Sequence, residues 1–404
     1  MKIRIFKLAF LSCSLLAVLT SCNLNNKAID VTPKFLRCGN SLVLAENGNL
    51  LIAGYKTSSS SGYDAMLMMR KANGDTATAW TRTFGGTYTD AFYCVKNSNE
   101  GGFIATGFTN NASGGSPAVY VVITDGNGMS KKTKTYRYTS ASQGFSVIPA
   151  NADSGYLVAG VAQKTSNSDR DIYLVRIKES GDTLWTKKLG AKSTSQYDMV
   201  NDAAYSVIAA PAPDFGYYVT GSMNGYSQTG GKIFLMKISA KGDSLWTKTY
   251  GTGIGFSLTL TKDNGIAISG SLQEGSSQDI FLLKTNLDGV VQWTYSYGGS
   301  GFEYGANMIE TSDGGFAITG ITDSKGHGNQ DVCLILTNSL GIGSWDQAKT
   351  FGNTDNDQGF GLVEMPDKGF CITGLSNSGG SYIFLNRVQS DGTPGTVGWE
   401  KYIE

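Results

Sequence analysis

DGGFAITG, residues 313–320, is the stretch on which the fold turns: a glycine-containing turn, a short run of apolar and β-branched residues, then a glycine. The same phrase returns as NGNLLIAG ending at Gly54, EGGFIATG at Gly107, DSGYLVAG at Gly160, DFGYYVTG at Gly221, DNGIAISG at Gly270 and DKGFCITG at Gly374. Successive terminal glycines stand 53, 53, 61, 49, 50 and 54 residues apart. That period marks propellers or solenoids and exceeds the shorter helical repeats.

Each period holds four short β-type runs, A to D. In the fourth repeat they are AAYSVIAA, GYYVTG, KIFLMKIS and, after the turn KGD, SLWTKTYG. The C runs (DAMLMMR, AVYVVIT, DIYLVRI, KIFLMKI, DIFLLKT, DVCLILT and SYIFLNR) are nearly continuous apolar stretches instead of alternating ones. Strands of that kind are covered on both faces. Blades packed face to face around an axis cover them so. The expected fold is therefore all-β: a seven-bladed β-propeller with four-stranded antiparallel blades. With 53 Gly and only 7 Pro, the composition suits many tight turns.

All six tryptophans, Trp80, Trp185, Trp246, Trp293, Trp345 and Trp399, are read in the D run of their repeat, and only the second repeat lacks one. A position kept in register this strictly is expected to be a packing post between blades. In an antiparallel blade the A–B and C–D turns share one face and the B–C and D–A connections share the other. The first set is mostly tight, as in Asp313-Gly314-Gly315 and Ser180-Gly181-Asp182. The second is long and variable, so binding is expected there.

Residues 1–21 read as a lipoprotein signal peptide: Lys2, Arg4 and Lys7 precede an apolar run from Leu8 to Leu19 that is short for a membrane span. Leu19-Thr20-Ser21-Cys22 is similar to a bacterial lipobox, which implies that Cys22 becomes an acylated N-terminus. Residues 22–36 would be a lipid-anchored linker and 37–404 the propeller. The expected location is the bacterial cell envelope, on the outer membrane and facing the periplasm, with the membrane touched only through the N-terminal lipid. Without residues 1–21 the chain carries a net charge of −3, and nothing in it points to nucleic acid.

Around SGDTLWTKKLG (180–190), KGDSLWTKTYG (241–251) and LDGVVQWTYSYGG (287–299), the turn, tryptophan and following glycine resemble the repeat of PQQ-type quinoprotein propellers. The whole repeat is similar to that of uncharacterised Bacteroidetes propeller lipoproteins. The resemblance implies the fold and leaves function open. Quinoprotein dehydrogenases imply eight blades, an adjacent cysteine pair and a calcium set. Seven repeats and no Cys-Cys pair leave no cofactor expected here. The propeller lipoprotein of the outer-membrane β-barrel assembly machinery, also non-enzymatic and lipid-anchored, is the closer analogue of function.

Chemistry-bearing patterns are sparse. His327, the only histidine, lies in the loop SKGHGNQ. The cysteines Cys38, Cys94, Cys333 and Cys371 show no metal spacing. An acid recurs just before strand A as Asp90, Asp202, Glu303 and Asp357, with Ser142 and Gly253 in the corresponding places of two other repeats. It is expected to accept backbone N–H bonds in the adjoining turn, the alternative being a carboxylate ring that holds a cation. Asn353, Asp355 and Asp357, with Glu364 twelfth, weakly match a calcium loop, but its sixth-position glycine is Gln358. Tyr88, Tyr197, Tyr226 and Tyr304 are candidate ligand contacts on the variable face. The expected role is a non-enzymatic module that binds an envelope protein. A polysaccharide-binding component of an uptake system and a propeller-fold lyase or hydrolase are the alternatives.

Overall fold

A computed structural model describes residues 37–403 except 59–61, 76–79, 111–115, 151–153, 164–169, 191–200, 224–230, 276, 378–379 and 395–397, and leaves out the Trp399 side chain. The anchor residue Cys22, with Tyr197 and Tyr226, lies outside the described residues.

The chain is an all-β, seven-bladed propeller. Blade 1 holds β1 (Arg37–Leu44), β2 (Leu50–Thr57), β3 (Tyr63–Arg70) and β4 (Thr81–Phe84), and blade 2 holds β5 (Asp90–Asn97), β6 (Phe103–Thr109), β7 (Ala118–Thr124) and β8 (Ser130–Tyr136). Blade 3 is β9 (Ala141–Pro149), β10 (Tyr156–Gln163), β11 (Arg170–Ile177) and β12 (Thr183–Leu189). Blades 4 and 5 share a strand: β13 (Ala203–Ala209), β14 (Tyr217–Met223), β15 (Lys232–Ile238), β16 (Ser244–Leu260), β17 (Gly265–Glu274), β18 (Ser277–Asn286) and β19 (Val291–Tyr297). Blade 6 is β20 (Glu303–Glu310), β21 (Phe316–Thr322), β22 (Asp331–Thr337) and β23 (Lys349–Phe351), and blade 7 is β24 (Asp357–Glu364), β25 (Phe370–Ser376), β26 (Tyr382–Val388) and β27 (Trp399–Ile403). Within each blade, sequential strands pair antiparallel.

The shared strand departs from the sequence expectation of a loop between every D and A. β16 pairs with β15 through its first half and with β17 through its second. Gly251 (φ +39°) and Gly253 (φ +155°) sit at the crossover. No side chain has to fit there, so one strand bends from one blade into the next.

The recurring terminal glycine has one cause in all seven blades. Strand A carries a β-bulge opposite it, skipping Asn40, Tyr93, Phe145, Tyr205, Phe256, Ala306 and Phe360 in turn. The bulge brings a strand-A carbonyl onto the glycine. A Cβ on Gly54, Gly107, Gly160, Gly221, Gly270, Gly320 or Gly374 would stand 1.7–2.0 Å from that oxygen. Only glycine lets the bulge form.

The core is seven apolar layers, each between two neighbouring blades. Strand C, covered on both sides, is accordingly buried along most of its length, and every residue of β7 is buried. The layer between the first and last blades packs Leu50, Ile52 and Met66 against Cys371, Ile383 and Leu385. Lys401 Nζ donates to Gly74 O at 2.7 Å across the same seam. Each terminal blade has its own four strands, so among the described residues the ring closes by side-chain packing with no strand exchanged.

The tryptophans separate into two settings. Trp80, Trp185, Trp246 and Trp293 lie against the C–D turn of the following blade, where a Cβ on Gly128, Gly242, Gly289 or Gly341 would stand 2.4–2.9 Å from the indole. Blade 2, which lacks the residue, places Lys134 beside Gly181 and donates Tyr136 Oη to Gly181 O at 2.5 Å. Trp345 is not on a D strand. It opens a short 3-10 turn, Trp345–Gln347, and Lys349 of β23 stands beside the next turn glycine, Gly392. The extra residues between β22 and β23 displace the indole toward Gly299 and under the Lys325 ammonium.

The C–D connections lengthen in blades 1, 6 and 7, and the A–B turns are short except in blade 4, where the turn lengthens through Pro211 and Pro213 and Phe215 is exposed at a positive φ of 47°.

Candidate functional site

The innermost strands, β1, β5, β9, β13, the second half of β16, β20 and β24, touch one another in a closed circle. Each begins at the face of the B–C and D–A connections, so residues near its start form the mouth and upper wall of the central channel.

The recurring acids come first. Asp90, Asp202, Glu303 and Asp357 are fully buried. Asp90 accepts the Gly86 N–H at 3.0 Å, Glu303 the Gly299 N–H at 3.0 Å, and Asp357 the Asn353 N–H at 2.7 Å. In each case the donor is four residues earlier, in the connection from the previous blade. Glu303 also accepts the Thr322 hydroxyl at 2.9 Å and the Ser324 hydroxyl. These carboxylates hold the turn that leads into their own strand. Burial raises the pKa of Asp357 above the usual carboxylate range. Asp331, which accepts the N–H groups of His327 and Gly328, is raised for the same reason.

The calcium pattern does not fold as a loop, because Asp357 to Glu364 is strand β24. Asn353 Oδ1 accepts the Asp355 N–H at 2.8 Å, Asp355 is exposed, and the Glu364 carboxylate accepts the Ser312 N–H and hydroxyl, both at 2.7 Å. Among the described residues, no three His, Cys, Asp or Glu side chains group as a metal set. The four cysteines among the described residues are buried thiols outside any disulfide, and His327 is exposed in the B–C connection of blade 6.

Of the tyrosines, Tyr88 is 61% exposed in the connection from blade 1 to blade 2, beside the B–C connection at Gly62. Tyr304 differs from expectation: it is the second residue of β20, half-buried in the channel wall instead of on a loop. Burial and the nearby Asp323 raise its pKa. The two tyrosines belong to different blades, and the structure brings no described pair of the four together.

Sequence reasoning missed the bulge residues themselves. Phe145 packs at a tilt against Tyr93 at 5.5 Å and stacks on Tyr205 at 5.1 Å, and Tyr205 meets Phe256 edge-on at 5.1 Å. A side chain can touch its counterparts in both neighbouring blades only where blades converge, so these rings line the axis. They remain half-buried, not buried, so solvent reaches them. Phe360 continues the row beyond Ala306, and Asn40 closes it, its Nδ2 donating to Phe92 O at 2.8 Å. One step toward the mouth stand Cys38, Ala91, Gln143, Ala203, Ile254, Tyr304 and Gln358. Neither row contains a charged residue. The available signal was an aromatic at a nearly constant distance before the terminal glycine in five repeats.

No family model matches the chain, and no curated protein matches it in sequence. Solved propellers match in shape. The periplasmic gluconolactonase PpgL of Pseudomonas aeruginosa is 12% identical with a TM-score of 0.56, over 88% of this chain and 95% of that one. The polysaccharide lyase Uly1 is 10% identical with a TM-score of 0.52, over 92% and 94%. At such identities the likeness is one of fold.

Proposed function

We propose that this protein is a lipid-anchored, non-enzymatic module of the bacterial cell envelope that binds or scaffolds another envelope protein through its B–C and D–A face. The observation that carries the reading is the contrast between that face and the scaffold beneath it. The bulge, its glycine and the interblade layers repeat in every blade. The connections above them do not: blade 1 presents Tyr88, blade 6 presents Phe302 at 47% exposure beside Asp323 and carries the exposed His327 in its B–C connection, and between blades 4 and 5 no D–A loop exists at all. Specificity requires such asymmetry, and a rigid scaffold under variable loops supplies it. A binding role over catalysis is supported by Asp90, Glu303 and Asp357, each of which commits a carboxylate oxygen to holding a turn.

Crosslinking in native envelopes, followed by partner identification, tests this reading. A Tyr88→Ala, Phe302→Ala double variant is expected to lose the crosslinked partner while keeping its denaturation midpoint. Lys241→Ala, on the opposite face, is expected to retain it. Partner loss from Lys241→Ala with the aromatic pair neutral would move the site to the tight-turn face. The anchor is tested by Cys22→Ser, which is expected to release the protein from the membrane fraction and abolish fatty-acid labelling.

A further inference from the structure

We propose that the central channel binds a neutral saccharide chain, stacked on the arc Tyr93, Phe145, Tyr205 and Phe256. This site is separate from the loops on which the protein-binding reading rests.

Three observations select the ligand. First, the arc is contiguous, with ring centroids 5.1–5.5 Å apart across four blades, yet its rings are only half-buried. A row that served only to fill the axis would be expected to seal it; these rings still meet solvent. Flat apolar surface of this kind suits the C–H faces of sugar rings. Second, the same wall carries a half-buried amide at Gln143 and half-buried phenols at Tyr205 and Tyr304, while Asn40 is engaged by Phe92 O and the Cys38 thiol and Gln358 is buried against Gln330. An amide both donates and accepts, as does a hydroxyl, so these groups match a polyol. A lipid or an apolar peptide would use the rings and leave the Gln143 amide without a counterpart. Third, neither channel row holds a charged side chain. An ionic ligand would give up hydration there with no opposite charge to replace it.

The aromatic contacts are interrupted at Ala306, which places no ring between Phe256 and the buried Phe360. A chain threading the axis would pass on this side, facing the arc.

The test titrates detergent-solubilised full-length protein with cellohexaose, maltohexaose, xylohexaose and mannohexaose, and with pentagalacturonate as the anionic comparison, by calorimetry. At least one neutral oligosaccharide is expected to saturate a single site, with pentagalacturonate silent. Tyr205→Ala is expected to weaken binding about tenfold or more. Gln143→Leu, which keeps side-chain bulk and removes only the amide, is expected to weaken it without moving the denaturation midpoint. Tyr88→Ala is expected to bind as wild type does. Heat from none of the four neutral sugars, equal affinity for pentagalacturonate, or binding that survives both channel substitutions would overturn the proposal. These outcomes leave partner crosslinking through Tyr88 and Phe302 unaffected, so the two readings fail separately.

Discussion

A Cβ on Gly320 would stand 1.9 Å from the carbonyl oxygen of Tyr304. The glycine on β21 and the bulge on β20 are thus one feature seen from two strands, and the same pairing recurs in the other six blades.

Gly320→Ala should therefore destabilise the protein by about 3 kcal/mol or more, since backbone would have to move to admit the methyl group. Gly126→Ala, where a Cβ meets nothing within 4 Å, should stay within about 0.5 kcal/mol of wild type. Urea denaturation of the two variants separates them. Equal midpoints would show that the bulge relaxes without cost.

Trp246→Ala should cost about 2 kcal/mol, less than a fully buried tryptophan, because the indole is half-buried against the Gly289 turn. Trp345→Ala, removing an indole that faces Gly299 and Lys325 instead, should perturb the local environment of Lys325 more than global stability. Fluorescence-detected unfolding gives the first quantity, and amide chemical shifts near residue 325 give the second.

Stability should also depend on pH through Asp331 and Asp357. Burial raises both folded-state pKa values above those of the unfolded chain. Between the unfolded and folded values the native state holds more protons, so stability contributed by these groups falls as pH rises through the folded values and is regained on acidification. The Asp331→Asn, Asp357→Asn double variant should lose this component. Comparing its urea midpoint with wild type at about pH 3 and about pH 8, on either side of the window that opens at the ordinary carboxylate pKa, should show the variant gaining relative ground at the higher pH. A difference independent of pH would mean that the two carboxyls titrate alike in both states.

The layer that closes the ring should be as strong as an internal one. Ile383→Ala, in the seam between blades 1 and 7, and Ile268→Ala, between blades 4 and 5, both remove fully buried side chains. Each should cost about 2–5 kcal/mol. A much smaller loss at Ile383 would identify the seam as a weak point.

Blade number and strand pattern were legible because each repeat writes the same local physics: a turn glycine, a doubly covered strand and the glycine opposite the bulge. The recurring acid was legible as a turn acceptor for the same reason, its donor lying four residues away in sequence. The arc of Tyr93, Phe145, Tyr205 and Phe256 was harder to see, since its members are some fifty residues apart. Only the bulge turns them toward one another. Trp345 misled because an insertion before β23 preserves the residue while changing its place. The fusion of blades 4 and 5 depends on a backbone path through Gly251 and Gly253 that reads, in sequence, like any other turn.

Because no strand is borrowed across the seam, the point at which the polypeptide starts and stops is a matter of connectivity alone. Arg37 opens the innermost strand of blade 1 and Ile403 ends the outermost strand of blade 7, both at the face of the D–A connections. A circularly permuted chain, opened between blades 2 and 3 and joined across the old ends by a short linker, would keep every interblade layer. The same property lets a whole repeat be duplicated or deleted in evolution without a new clasp having to arise. Opening the chain between blades 4 and 5 is the exception, for the cut would fall within β16 and sever the strand that both sheets hold in common.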